Sequence, residues 1–377
     1  MDLDLTDAQR ALRDQAREVS LRELSPQAAE IDSQQRFPRQ AVERLAKLGM
    51  LGVAVPKEWG GAGLDAVAAA LMIEELASGC ASTAAVVSVQ GLVCESILRF
   101  GTEAQKRAWL PPLTSGAKLG CFALTEAGGS GPGCVDTLAR RDGEGVLLRG
   151  SKSFVTCAPV AEVALVFALT APGAKDSLSA FLVSTASAGV SCGPAHGKLG
   201  LRGAVSSAMT FDDVHLPSAA LLGTEGGGRA VLRFALDGAR VGAAALSVGI
   251  ACAAFAAATR YALGRRTNGE LIANHQAIQF KLADMSTQVD AARLLTWRAA
   301  AARDRGASVS AFASMAKLVA SEAASHVAGN AVQVLGGNGC LADYPVERHF
   351  RDAKVTEIYE GTSDVQRLGI ASALLKE

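Results

Sequence analysis

The sequence predicts an α+β fold that is mostly helical: a helical domain over residues 1–118, an antiparallel β-barrel or sandwich over 119–228, and a helical bundle over 229–377. Three observations predict it. Apolar residues recur at helical spacing to about residue 115, and short β-type runs begin at Gly120. Helical patterning then returns after Gly226-Gly-Gly-Arg229 and lasts to Leu375, which implies a β module inserted between two parts of a helical bundle. With 377 residues, 49% hydrophobic and 20% charged, the chain can fill two or three packed regions.

Thr6-Asp-Ala-Gln9 has the form of a capping box that opens an amphipathic run to residue 29. Phe37-Pro38 sets a proline at the first turn of the next helix, which carries Val42, Leu45 and Leu48 on one face. The loop Trp59-Gly-Gly-Ala-Gly63 leads to an apolar helix over 66–77, a second spans about 82–100, and Pro111-Pro112 punctuates its successor. Strands are expected at 121–125, 146–149, 163–167, 178–183 and 208–211, a spacing suited to a small barrel or sandwich. The 18 uncharged residues 241–258 are half alanine with few large side chains, and read as a close-packed bundle helix rather than a membrane span.

Thirty-seven basic residues balance 37 acidic ones, and no long basic run offers a nucleic-acid surface. Eight cysteines form no C-x-x-C pair and five histidines lack ligand spacing, so neither a disulfide framework nor a metal site is expected. The cysteine usage, and an acidic start without a charged-then-apolar leader, lead to the expectation of a cytoplasmic protein. No Walker loop occurs, and no G-x-G-x-x-G follows a strand. Gly336-Gly-Asn-Gly339 follows a helical run and reads either as a helix stop or as a close backbone approach to a ligand.

The candidate chemistry centres on residues 351–367, where two helical patterns meet at Gly361. Beyond it Thr362 is a candidate N-cap, Asp364 lies in the first turn, and Val365, Leu368 and Leu374 are expected to form a buried face. Glu360, between Tyr359 and Gly361, is a candidate general base, because desolvation beside an aromatic ring raises a carboxylate pKa. Read on local physics alone, a solvated loop acid is the favoured reading of Glu360. Thr125-Glu-Ala-Gly-Gly-Ser130 closes a predicted strand in a glycine-rich turn, either an ordinary β-turn or a seat for a polar planar group or a phosphate. Lys152-Ser-Phe-Val-Thr156 places an aromatic and a threonine on a strand.

In combination these stretches are specific. The sequence resembles the flavin-dependent acyl-CoA dehydrogenase family from Leu5 to about Leu375. The pattern is carried by Pro56-Lys-Glu-Trp-Gly-Gly-Ala-Gly63, Phe122-Ala-Leu-Thr-Glu126, Lys152-Ser-Phe-Val-Thr156 and Lys198-Leu-Gly-Leu-Arg-Gly203. It continues through His275-Gln-Ala-Ile-Gln-Phe-Lys281, Gln333-Val-Leu-Gly-Gly-Asn-Gly339, Tyr344-Pro-Val-Glu-Arg348 and Tyr359-Glu-Gly-Thr362.

The resemblance implies a C-terminal four-helix bundle, a homotetramer, and FAD lying between the β domain and helices, partly held by a neighbouring subunit. It implies that Phe122, Leu124, Thr125 and Ser130 line the flavin and its pyrophosphate, with Phe154 and Thr156 near the ring. Arg265, Thr267, Gln276, Gln333 and Gly337 would come from the partner subunit, and Thr362 and Asp364 would approach the adenosine end. The implied reaction is α,β-dehydrogenation of an acyl thioester, with Glu360 taking the α-proton and flavin N5 the β-hydride. The Glu360 amide would serve the thioester oxygen. Some relatives carry the base at the position of Ala239, which cannot serve.

Ser130, Asp237, Arg240, Tyr359 and Gly361 are the implied substrate contacts, although Asp237 and Arg240 can equally be an i,i+3 ion pair. An electron-transferring flavoprotein is the expected acceptor, and a short or branched acyl group the expected substrate.

Four departures from the family pattern stand out: the loop from Thr125 to Gly133, which loses a proline, an acid and one residue, Cys157 for a common asparagine, Asn268 for a phenylalanine, and Cys340 for an aromatic. Two other readings follow. One keeps the chemistry but takes the acyl group from a carrier protein, or reoxidises with oxygen. The other keeps the fold as a non-catalytic scaffold.

Overall fold

The structure, a computed structural model, describes residues 4–171, 173 and 177–375, so the acidic start at residues 1–3 lies outside it. Thr6 and Gln9 form the anticipated capping box, Gln9 N donating to Thr6 Oγ1 (3.2 Å) and Thr6 N to Gln9 Oε1 (2.9 Å). Helix α1 (Asp7–Val19) is nonetheless shorter than the run to residue 29 implied. A π-helical turn (Ser20–Leu24) and a 3-10 turn (Ser25–Gln27) precede α2 (Ala28–Gln34), and Pro26, lacking an N–H, accounts for the break. Helices α3 (Arg39–Lys47), α4 (Ala66–Gly79), α5 (Ala81–Phe100) and α6 (Glu103–Thr114) follow, with Pro111 and Pro112 inside the last turn of α6.

Strands β1 (Gly120–Ala123), β2 (Leu138–Asp142), β3 (Gly145–Thr156), β4 (Val163–Leu169), β5 (Leu178–Ser184), β6 (Val190–Cys192), β7 (Ser206–Pro217) and β8 (Leu221–Leu222) form one sheet. Its order is β6-β7-β3-β2-β4-β5-β8, with β1 beside β4. Pairing is antiparallel except where β4 meets β1 and β2. β4 and β5 are buried on both faces, which is why β4 reads as an unbroken apolar run and β5 as one interrupted only by the buried Ser179 before its end at Ser184. β2, which is charged, and β6 and β8, which are very short, carry little apolar signal and escape a sequence reading.

The remaining helices are α7 (Gly228–Gly264), α8 (Gln276–Asp304), α9 (Ser310–Leu335), α10 (Val346–Thr356) and α11 (Ser363–Leu374), with a hairpin of β9 (Arg266–Thr267) and β10 (Glu270–Leu271) between α7 and α8. Small side chains let these helices approach closely. At Gly249 of α7 a Cβ would come within 2.3 Å of the Glu74 carbonyl oxygen on α4. Asp304, at the end of α8, caps α4 by accepting from Ala66 N (2.7 Å) and Val67 N (3.2 Å).

One hydrophobic core runs from Leu12 and Ile31 through Val155 and Phe181 to Ala244 and Val327, so both helical parts and the sheet share it. α5 and α7 are long and apolar enough to cross a membrane by length and composition, yet 78% and 67% of their most apolar windows are buried inside the fold. One expectation is corrected. Val365, Leu368 and Leu374 are exposed, and the buried residue of α11 is Gln366, because its amide turns inward to donate to the Glu360 and Gly361 carbonyls.

Asp352 on α10 is buried, and its Oδ1 accepts from Leu201 N at 2.6 Å. Burial pushes its carboxyl up to about 7, with the Leu201 N–H opposing. The folded chain therefore holds this proton more tightly than an unfolded one, whose value is 3.8. The stabilising contribution is full below that value and is lost as pH rises towards about 7. Asp352→Asn keeps an acceptor for Leu201 N and is expected to flatten that part of the stability–pH profile, raising stability near pH ~8. Urea titrations across that range check it.

Candidate active site

Between α10 and α11 the chain reverses through residues 357–362. Glu360 (φ +56°) and Gly361 (φ +93°) are both left-handed, a conformation open to glycine but unfavourable for a glutamate. Two buried side chains hold the turn: Gln366 Nε2 donates to the Glu360 and Gly361 carbonyls (3.0 Å each), and Lys317 Nζ donates to the Gly361 carbonyl (2.7 Å). Thr362 caps α11 as anticipated, its Oγ1 accepting from Val365 N at 3.4 Å. Asp364 pairs with Arg367 at 3.3 Å.

Glu360 is half-buried, and burial raises its pKa while Arg240 and Lys317 pull it down. This is not the setting of a solvated loop acid. Among the described residues the Glu360 N–H has no backbone acceptor, so it remains available as a donor.

Arg240 and Asp237, on α7, pair at 3.5 Å, as the i,i+3 reading anticipated, and Ser310 Oγ donates to Asp237 Oδ2 at 2.7 Å. Several buried polar atoms in this region lack a hydrogen-bond partner: Tyr359 OH, Arg240 Nε and Gln366 Oε1. Each costs ~1–3 kcal/mol when left unpaired, so such a cluster is suited to a polar ligand.

Asp237 and Arg240 also line a cavity of about 970 Å³ together with Arg99, Arg229, Arg233 and Arg303. Arg303 pairs with Glu95 at 2.6 Å, whereas Arg99, Arg229 and Arg233 have no carboxylate partner among the described residues. A cavity of about 70 Å³ lies between α5 and α7, bounded by Val87, Ser88, Gly91, Leu92, Gly238 and Gly242. Leu92 also packs with Ala235, Ala239 and Phe122, which joins this apolar wall to β1.

The sheet supplies a second surface. Phe154 sits at an irregularity in the β3–β7 register with φ +57°, and is 70% exposed beside His196, ring centroids 5.4 Å apart. Thr125 follows β1, its carbonyl accepting from Ser153 N at 2.7 Å. The hydroxyls of Thr125, Ser130 and Thr156 have no hydrogen-bond partner among the described residues, and Leu124 is buried in the core with Leu165 and Phe167.

Below this surface Lys152 is fully buried, donating to Glu126 Oε1 (2.6 Å), Phe167 O (2.6 Å) and Leu124 O (3.2 Å). Glu126 also accepts from Thr137 Oγ1 (2.7 Å), and its backbone closes the shortened loop through two bonds with Gly129 (3.0 Å each). An exposed aromatic with free hydroxyls on a rigid support fits a planar ring system with polar edges.

Arg265, Thr267, Gln276, Gln333 and Gly337 are all exposed, at the ends of α7, α8 and α9 and on the hairpin. Asn338 Nδ2 to Tyr261 OH (2.9 Å) and Lys281 Nζ to Asn330 Oδ1 (3.3 Å) tie that end of the bundle together. Among the described residues no hydrogen bond or ring contact links these five to the Phe154 surface of their own chain. Gly336 (φ +60°) ends α9 as a helix stop. Asn268 (φ +51°) and Gly269 (φ +84°) form the two-residue β9–β10 turn, where asparagine is a favoured residue. Cys157 is likewise left-handed (φ +67°), a conformation asparagine tolerates better.

Lys317 and Gln366 escape a motif reading. Lys317 shares a helix face with Ala313, Ala320 and Ala324, and a lone cation on an apolar stripe is the signal that could have found it.

A helical–sheet–helical fold with a desolvated glutamate on a left-handed turn and an exposed aromatic platform is an arrangement suited to a cofactor-dependent enzyme. The N-terminal, middle and C-terminal domain models of acyl-CoA dehydrogenase match residues 6–117, 121–214 and 226–375. The short-chain specific acyl-CoA dehydrogenase of Bos taurus is 44% identical over 377 residues, 99% of this chain and 92% of that protein. Butyryl-CoA dehydrogenase from Megasphaera elsdenii superposes with TM-score 0.97 at 37% identity, covering 100% of both chains. The prolyl acyl carrier protein oxidase AnaB has TM-score 0.95 at 28% identity, covering 99% of this chain and 100% of its own. The chain belongs to the acyl-CoA dehydrogenase family.

Proposed function

We propose that the chain is an FAD-dependent dehydrogenase of short acyl-CoA thioesters in which Glu360 removes the α-proton. The observation that carries this reading is the Glu360 turn: a carboxylate desolvated enough to be a useful base, yet kept ionisable by Arg240 and Lys317. The free Glu360 N–H would donate to the thioester oxygen as α-deprotonation builds negative charge there. The α-proton passes to a Glu360 carboxylate oxygen, and the C–H electron pair becomes the new α,β double bond as the β-hydride leaves. FAD, when bound, supplies the acceptor for that hydride.

Phe122, Leu124, Thr125, Ser130, Phe154 and Thr156 would hold the flavin from this chain. Arg265, Thr267, Gln276, Gln333 and Gly337 would hold it from a partner subunit, with Thr362 and Asp364 towards the adenosine end. That division supports a homo-oligomer, taken here as a tetramer, and exposed Leu263, Phe280 and Leu341 give the same end apolar surface for it. We place the enzyme in the cytoplasm, where its eight free cysteines stay reduced, and assign a separate electron-transferring flavoprotein as acceptor.

The cationic cavity beside Arg240 favours CoA over a carrier protein, because Arg99, Arg229 and Arg233 are free to meet the phosphates of the nucleotide. Ser130, Asp237, Arg240, Tyr359 and Gly361 would border the thioester arm, and the small space between α5 and α7 suits a short acyl group. Anaerobic bleaching of the flavin by a panel of thioesters tests the assignment. Butyryl-CoA is expected to bleach at a concentration ~10-fold below butyryl-pantetheine, and Arg233→Ala to erase most of that advantage. Bleaching only by a carrier-protein thioester, or a purified protein that cannot take up flavin, would overturn the proposal.

A further inference from the structure

We propose that Lys317 is a positioning residue for the reaction, holding the Glu360 turn through the Gly361 carbonyl and keeping Glu360 ionised in its desolvated site. The inference rests on Glu360 being the base. Lys317 lies in the middle of α9, its side chain fully buried among alanines, and its one hydrogen-bond acceptor among the described residues is Gly361 O at 2.7 Å. A lysine is costly to bury, so a site that keeps one without a hydrogen-bonded carboxylate has a use for a donor and a charge there.

The charged groups around it are Glu360 and Glu357 on the turn, Arg240 on α7 and Glu322 on its own helix. Burial pulls Lys317 down to about 8, with Glu360 and Glu357 opposing, so it is largely cationic at neutral pH. Glu360 in turn faces Arg240 and Lys317, and both favour its ionised form. The donor acts on geometry: Gly361 follows Glu360 directly, and its carbonyl is pinned by Lys317 and Gln366 from opposite elements.

The test separates donor from charge. Lys317→Gln keeps a donor and removes the charge, while Lys317→Met removes both. The acid limb of flavin bleaching by butyryl-CoA follows ionisation of Glu360, and both variants are expected to move it up by about one pH unit. Lys317→Gln should approach the parent rate above the limb. Lys317→Met should stay ~10-fold or more slower at every pH, with the affinity for the enoyl-CoA product changed little. Amide hydrogen exchange over residues 361–366 should accelerate in Lys317→Met and not in Lys317→Gln.

An unshifted acid limb in the Gln variant, or unchanged exchange in the Met variant, would overturn the proposal. Should Lys317→Met fail to fold, the limb of Lys317→Gln still decides it. Glu360→Gln run in parallel distinguishes the failures: full activity there removes the base assignment itself, whereas an inactive Glu360→Gln beside unaltered Lys317 variants removes only this role.

Discussion

Glu360→Gln is expected to retain FAD and fold while losing flavin bleaching by acyl-CoA by about 10³-fold or more, the upper part of the range for a general base. Glutamine keeps the shape, the left-handed backbone and the N–H, and removes only the proton acceptor. Because burial penalises the ionised carboxylate, the amide brings no stability loss of its own. Ala239, the alternative base position, leaves nothing to rescue the variant. Stopped-flow absorbance with excess substrate reads the rate, and unchanged bleaching would remove Glu360 from its role.

The second large effect is structural. Lys152→Met is expected to lower stability by ~3–5 kcal/mol, because Glu126 is then left as a buried charge without its cation. The loss should exceed that of the double variant Lys152→Met with Glu126→Gln, which removes both charges. Retention of FAD should fall in the single variant, since Thr125 and the closed loop to Gly129 rest on Glu126. Urea midpoints and the flavin content after gel filtration measure the two effects separately. Equal losses in the single and double variants would show that the pair gives no more than its packing.

Much of this was legible in the chain. The capping box at Thr6, the helix stop at Gly336 and the N-cap at Thr362 each depend on residues within a few positions of one another, so local chemistry decides them. β4 and β5 are legible because strands buried on both faces are rich in apolar residues, whereas charged β2 is not. Asn268 stands in the sequence only as a departure from the family pattern, and the structure shows that it suits a hairpin turn, since the need for φ > 0 is invisible without the backbone.

α11 departs from its sequence pattern because packing decides its buried face. Its apolar residues have helical spacing, but which stripe faces α9 is settled by Gln366 reaching the Glu360 turn.

What the sequence by itself determined is the kind of protein and the identity of the candidate base: ordered motifs and helical or strand periodicity survive as text. What only the tertiary structure decided is the state of that base. The desolvation of Glu360, its cations Arg240 and Lys317, the support of Thr125 by Lys152 and Glu126, and the cationic cavity all join residues far apart in the chain. Electrostatic fields and burial are properties of distance in space, and no local pattern encodes them.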